Sequence, residues 1–359
     1  MKRRFPNRFP LLCLLLSVLL LPLSTTACLS QTAQPGKQPI APAIEIPLPP
    51  GGERKGVFLI DWLDEGRLVF GLQGGADQQS AISLYVCDLE NKTSSLFYQA
   101  NDVVGYETTI KHLRDGALAF QCREKIIFFN KETLQKQREI PLPPNTRGVD
   151  LSSDGRRLIF CDEQGLHVAD ADLSNRKLLV KRTGENLRTK APFRPKWSDD
   201  DSRLSYILCL YEGTEGVGVM NPDGTGHRFF SLPDVSYTYW LNDNRQILCG
   251  QSDYDQTTAQ LIDTTSGNRT NMDIERNKYE MKLDPADKRV AYALRFERQE
   301  PYTHEMTLYV RDVKSDQARI ASPTHYLLRN VTWSLSGRQL AYSTVSQKGD
   351  TKVWIQPLN

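Results

Sequence analysis

From residue 43 onward, apolar residues come in short runs separated by polar turns, and one such run recurs seven times. The copies are Gly66-Arg67-Leu68-Val69-Phe70, Gly116-Ala117-Leu118-Ala119-Phe120, Arg156-Arg157-Leu158-Ile159-Phe160, Ser202-Arg203-Leu204-Ser205-Tyr206, Arg245-Gln246-Ile247-Leu248-Cys249, Lys288-Arg289-Val290-Ala291-Tyr292 and Arg338-Gln339-Leu340-Ala341-Tyr342. Measured from the central aliphatic residue, the intervals are 50, 40, 46, 43, 43 and 50 residues. No stretch sustains a period of 3.6, so the body reads as all-β. A repeat of that length, holding several short strands, fits a four-stranded propeller blade of ~40–50 residues.

The flanks agree. Turns rich in Asp, Asn, Ser and Gly precede most copies, as in Ser153-Asp154-Gly155, Asp199-Asp200-Asp201 and Asn242-Asp243-Asn244. These residues tolerate the left-handed backbone that tight hairpins need. Trp62, Trp197, Trp240 and Trp333 stand just before four of the turns. A second strand follows and ends in Asp or Asn, as in Leu84–Asp88, Leu166–Asp170, Val217–Asn221 and Leu308–Asp312. The segment Trp333–Tyr342 and the Leu-Tyr-Val-x-Asp of Leu308–Asp312 resemble the WD-like repeats of the TolB-type propeller family. The resemblance spans about residues 43–359 and implies the fold. The α/β domain that TolB carries before its propeller has no counterpart, and a leader and a tether stand in its place.

With strands lettered a to d from the channel outward, the last repeat runs out after Lys352–Gln356, its c strand. Glu45-Ile46-Pro47-Leu48-Pro49-Pro50 recurs as Glu139-Ile140-Pro141-Leu142-Pro143-Pro144, where it is the outer strand of blade 2. The expected architecture is therefore seven four-stranded blades, with Ile44–Leu48 as the outer strand of blade 7. Pairing the chain ends would remove an exposed sheet edge. A six-blade ring with one misread repeat is the rival.

Residues 1–27 read as a signal peptide: Lys2, Arg3, Arg4 and Arg8, then an apolar stretch from Leu11 to Leu23. Thr25-Thr26-Ala27-Cys28 resembles a bacterial lipobox, which implies diacylation of Cys28. Ordinary cleavage after Ala27 and an uncleaved anchor are the alternatives. Residues 28–42, rich in Pro, Gln and Ala, read as a flexible tether. The expected location is the bacterial cell envelope, lipid-anchored on the periplasmic or extracellular side of a membrane. Without residues 1–27 the formal net charge is −2, which gives nucleic acid no basic face to bind. Cys87, Cys122, Cys161, Cys209 and Cys249 are odd in number and match no zinc spacing, so they read as buried thiols, with a disulfide as the alternative.

No catalytic, phosphate-binding or calcium motif occurs, and no cofactor or metal site is expected. Asn221–Gly226 reads as a hairpin turn. His112, His167, His227, His304 and His325 fall in different blades, and only His112 and His325 lie near inner strands. The b–c and d–a loops share one face and vary in length. That face carries the candidate binding residues: Tyr211, Tyr254, Arg295, Phe296 and Tyr302 from b–c loops, and Tyr106, Tyr237 and Tyr326 from d–a connections. Aromatic and Arg side chains on variable loops over a rigid ring suit recognition. The expected function is a non-catalytic binding scaffold for a protein or a cell-envelope glycan. A propeller enzyme acting on polysaccharide (lyase or hydrolase) and a structural component of an envelope complex are the alternatives.

Overall fold

The computed structural model describes residues 40–74, 82–101, 108–122, 124–251, 259–272, 278–297, 304–313 and 317–358. Cys28 and the leader lie outside them. Seven four-stranded antiparallel sheets form the blades of a β-propeller. Blade 1 is Gly56–Trp62, Arg67–Gln73, Ile82–Asp88 and Thr93–Ala100; blade 2 is Ile110–His112, Ala117–Gln121, Lys125–Asn130 and Lys136–Pro141. Blade 3 is Val149–Leu151, Arg157–Cys161, Gly165–Asp170 and Lys177–Lys181; blade 4 is Ala191–Trp197, Leu204–Cys209, Thr214–Met220 and Arg228–Ser231. Blade 5 is Val235–Trp240, Gln246–Gln251, Ala259–Asp263 and Arg269–Met272; blade 6 is Lys278–Leu283, Arg289–Glu297, His304–Asp312 and Ala318–Ile320. Blade 7 is Leu327–Trp333, Gln339–Val345 and Thr351–Pro357, completed by Ile44–Ile46 from the start of the body.

The closing strand lies where the repeat demands it. Ile44, Glu45 and Ile46 pair with Ile355, Trp354 and Val353. It is two residues shorter than expected, ending at Ile46. Ile46 turns inward at 4% exposure, whereas Ile44 is 44% exposed. The six-blade alternative is excluded.

The b strands explain why the repeat is legible. Each lies between two neighbours within its blade, and adjoining blades cover both of its faces. All seven anchors, from Leu68 to Leu340, are buried. Two residues on, the side chain is aromatic in every blade but the fifth, where Cys249 replaces it. These rings find ring partners on outer strands or links: Phe70 with Tyr85, Phe160 with His167, Tyr206 with His227, Tyr292 with Tyr309 and Tyr342 with His325. The apolar core is a set of clusters, each spanning two adjacent blades. Ile46, Trp62, Phe70, Ala341, Val353 and Ile355 form the one that joins blade 7 to blade 1.

None of the five cysteines is in a disulfide. They fall in five successive blades, too dispersed for any two to pair. Cys249 is fully buried, and desolvation pushes its thiol up to about 12, so it stays protonated.

Candidate functional site

The inner strands are tied blade to blade around the channel. His112 Nε2 stands 3.7 Å from Asp61, and Lys111 Nζ lies 2.9 Å from Asp150 Oδ1. The other Asp150 oxygen accepts the Trp197 N–H at 2.8 Å. Arg194 donates to the Ser236 carbonyl, and the Tyr239 hydroxyl to that of Met281 at 2.6 Å. Trp333 Nε1 donates to the Lys282 carbonyl at 3.1 Å, and Asn330 Nδ2 to that of Val57 at 2.9 Å. From blade 2 round to blade 1 each consecutive pair is thus hydrogen-bonded, while blades 1 and 2 meet here only through the 3.7 Å approach of His112 to Asp61.

A second set of ties runs through the a–b turns. Asp201, Asn244 and Asp287 all have φ between 51° and 61°. Each sends its side chain to the preceding turn. Asp201 accepts from Ser153 N at 2.7 Å and from Ser153 Oγ at 2.6 Å; Asn244 accepts from Asp200 N, and Asp287 from Asn242 N. Ser336 N donates to Glu65 Oε1 at 2.6 Å, joining blade 7 to blade 1. Sequence reading took these residues for turn formers only. The additional signal is that a left-handed Asp or Asn keeps an acceptor that Gly lacks.

These ties leave a polar recess of about 360 Å³ at the channel mouth, lined among others by Lys111, Asp150, Lys196, Asp199, Asn242, Asp284 and Asp287. Burial, with Asp150, Asp200 and Asp201 nearby, raises the Asp199 carboxyl above its usual value, against the opposing pull of Lys111. Burial likewise raises Asp287, with Asp199 and Asp284 adding to it. The recess is electrostatically crowded, and its Asp side chains double as structural links.

The variable-loop face holds a larger feature. A cleft of about 800 Å³ opens between blades 6 and 7. Glu305 and the link through Thr324, His325 and Tyr326 form one wall. Thr344, the Ser346–Asp350 turn, Lys352 and Trp354 form the other. His325 is fixed by its backbone, which exchanges both hydrogen bonds with Met306. Burial lowers its pKa, so the imidazole is neutral near neutral pH. Its ring lies 6.1 Å from that of Trp354 and 5.6 Å from that of Tyr342. Trp354 Nε1 donates to Thr344 Oγ1 at 2.9 Å, and Lys352 Nζ lies 5.4 Å from the ring centroid. Lys352 is held in turn by Glu45 of the closing strand at 2.9 Å.

Of the residues expected on this face, Tyr326 lies at the cleft, 41% exposed. Tyr211 and Phe296 are exposed at 61% and 43% on other hairpins of the same face. Arg295 and Phe296 are not in a loop. The blade 6 hairpin has nine paired positions, so both stand in its b strand. Tyr237 is likewise inside a strand, the a strand of blade 5, half-buried with Arg194 5.8 Å from its ring centroid. Tyr106, Tyr254 and Tyr302 lie outside the described residues, as does the His304 side chain. His167 is buried, with Nε2 3.0 Å from Asp162 Oδ1, and His227 Nε2 meets the Tyr206 hydroxyl at 2.9 Å. His112 and His325 have separate surroundings. Among the described residues no three His, Cys, Asp or Glu side chains gather as a metal ion requires. Asn221–Gly226 is the c–d hairpin of blade 4, closed by Asn221 N to Thr225 O.

The fold is shared with proteins of differing activity. Oligogalacturonate lyase of Vibrio parahaemolyticus matches with a TM-score of 0.64 at 11% identity, over 90% of this chain and 95% of that one. The Swd1 propeller domain of Myceliophteria thermophila gives 0.58 at 10%, over 84% and 97%. A TolB protein of Agrobacterium tumefaciens gives 0.51 at 10%, over 78% and 98%. At such identities the likeness is one of fold. No family model matches the chain, and no curated protein does.

Proposed function

We propose that this protein is a membrane-tethered binding module of the bacterial cell envelope, and that its ligand docks in the cleft between blades 6 and 7. The observation that carries the reading is the cleft's preorganisation. Its volume falls within the range of ligand pockets, ~300–1,000 Å³. Its indole is already fixed by Thr344, and the backbone that carries its imidazole by Met306. Side chains fixed in advance lose little freedom on binding.

The chain's entry point fits a tether. Ile44 lies toward the C-terminal end of the blade 7 c strand, and Gln356 Nε2 donates to the Ala41 carbonyl at 2.7 Å. Residues 40–43 therefore approach from the side of the a–b and c–d turns. The Ser346–Asp350 turn that borders the cleft is at the other end of the same strand. Lipid chains hold through buried methylenes at ~0.8 kcal/mol each.

Two measurements test this. Replacing Cys28 with Ala should move the protein from the membrane fraction to the soluble one; an unchanged distribution refutes the anchor. A photo-crosslinking residue at position 326, in the full chain in native membranes, should capture a ligand that the same residue at exposed Leu96 does not. Equal capture at both, or turnover of an oligosaccharide by the purified chain, refutes the non-catalytic cleft reading.

A further inference from the structure

Resting on that reading, the chemistry of the cleft goes further: we infer that its ligand is an uncharged oligosaccharide segment. Three observations converge. The first is charge. Lys348 and Lys352 face Glu305 and Asp350, two of each sign. Such a lining offers a polyanion no net attraction and would leave any single ligand charge beside one of its own sign.

The second is the match of functional groups. A pyranose ring presents a face of C–H bonds and a rim of hydroxyls. Trp354 is half-buried, with Lys352 near its ring and its one polar atom engaged by Thr344, so what it offers is the uncovered part of an apolar ring held in a set orientation. The cleft also holds neutral groups that both donate and accept: Thr324 and Ser346, whose hydroxyls are shared with Thr307 and with the Ser346–Asp350 turn, and the amide of Gln347. Carboxylates at Glu305 and Asp350 accept from hydroxyls, and charge-assisted bonds of that kind are the stronger ones. The neutral imidazole of His325 adds no charge of its own.

The third observation weighs against an extended peptide, the other ligand a propeller cleft accommodates. Strand addition needs a free sheet edge. Along this cleft the c strand of blade 6 is closed at Met306 by His325, and that of blade 7 at Val353–Ile355 by the closing strand, which leaves only Thr351 and Lys352 of that strand's cleft end outside the pairing, too short a stretch to add a strand.

The experiment uses the full chain in detergent micelles and follows tryptophan fluorescence and saturation-transfer NMR. The probes are neutral tetrasaccharides of glucose, mannose and N-acetylglucosamine, with tetragalacturonate as the anionic comparison. At least one neutral probe should bind and outcompete the anionic one. Tyr326→Ala and Gln347→Ala, both at solvent-facing positions, should each weaken binding, and Trp354→Ala should do so by about tenfold or more. Trp354→Phe, which keeps an aromatic ring, should retain part of the affinity and guards against a folding defect in the Ala variant. Binding unaltered by Tyr326→Ala and Trp354→Phe places the sugar elsewhere and overturns the inference. Failure of every neutral probe, or preference for tetragalacturonate, also overturns it. The crosslink at position 326 separates the two levels: a captured protein with no sugar binding leaves the cleft a docking site and removes the saccharide. No capture and no sugar binding removes both.

Discussion

Replacing Ile46 with Ala tests whether the N-terminal strand seals the ring. Ile46 is 4% exposed and packs with Trp62, Val353 and Ile355, where blades 7 and 1 meet. Truncating a buried Ile costs ~2–5 kcal/mol, from lost burial plus the cavity left behind. The strand has only three paired residues and can partly collapse onto the gap, so the lower end applies, about 2–3 kcal/mol. For a body of this length that lowers Tm by about 3–5 °C. Ile44→Ala serves as the matched control. The same truncation two residues earlier on the same face, at the strand's exposed end with 44% exposure, should stay within about 0.5 kcal/mol. Glu45→Ala removes a surface ion pair with Lys352 and should cost about 0–1 kcal/mol. The duplicated strand supplies a second control. Ile140 in blade 2 is as buried as Ile46, so Ile140→Ala should destabilise similarly without opening the junction of the chain ends. Chemical denaturation gives the energies, and hydrogen exchange locates the effect. Ile46→Ala should accelerate exchange at Val353 and Ile355, whereas Ile140→Ala should not. Equal costs for Ile46→Ala and Ile44→Ala, or unchanged exchange in blade 7, would refute the closure argument.

Asp201→Gly keeps the left-handed backbone but removes both bonds to Ser153, and should cost about 1–2 kcal/mol in urea titration; an effect below about 0.5 kcal/mol would remove the turn ties from the stability argument. Asp199→Asn should stabilise at neutral pH. A carboxyl whose folded pKa is raised adds stability that is full below its ordinary 3.8 and is lost as pH rises through the folded value. The variant's advantage should therefore vanish in acid, and urea midpoints measured across pH would expose an advantage that instead persists there. His167 has the opposite consequence in a different window, because burial lowers its pKa and the fold holds it neutral. Its contribution is full above about 6.5 and is lost as pH falls toward the folded value, so His167 should titrate below that point by NMR. At Gly218, an added Cβ would sit 2.2 Å from the Tyr206 ring, so Gly218→Ala should cost about 1–3 kcal/mol and perturb the His227 NMR signals.

What was legible in the sequence is what one blade specifies by itself. Leu68 and its six counterparts are buried on both faces, so each b strand reads as an unbroken apolar run. The duplicated Glu-Ile-Pro-Leu segment was enough to place the closing strand, since an outer strand followed by prolines has one role in either copy. The failures have physical causes. Arg295 and Phe296 sit in a polar stretch that looks like loop, yet nine backbone pairs carry the hairpin through it. Tyr237 reads as part of a connection, yet it lies in a strand that begins with a register shift between Val235 and Tyr237. The cleft was not readable at all. Glu305, His325 and Trp354 meet only because blade 7 packs on blade 6, and nothing in the spacing of those residues announces a shared space.

The turn ties change what closure means. At the blade 7 to blade 1 junction three kinds of tie act together: the apolar cluster around Ile46, the inner-strand bond from Asn330 to Val57, and the turn bonds from Ser336 to Glu65. The junctions of blades 3–4, 4–5 and 5–6 have inner and turn ties of the same kind but need no borrowed strand. The 7–1 junction is thus an ordinary blade interface with its outer layer supplied from the other end of the chain. Pulling Ile44–Ile46 away would expose Val353 and Ile355 on the outer side, while Asn330 and Ser336 still hold the inner side. The ring should therefore fray from its rim inward, and the residues first exposed include Trp354, whose backbone pairs with Glu45. The strand that follows the entry of residues 40–43 is bonded to the strand that carries the cleft's indole, so a pull on that strand bears directly on the geometry of the cleft.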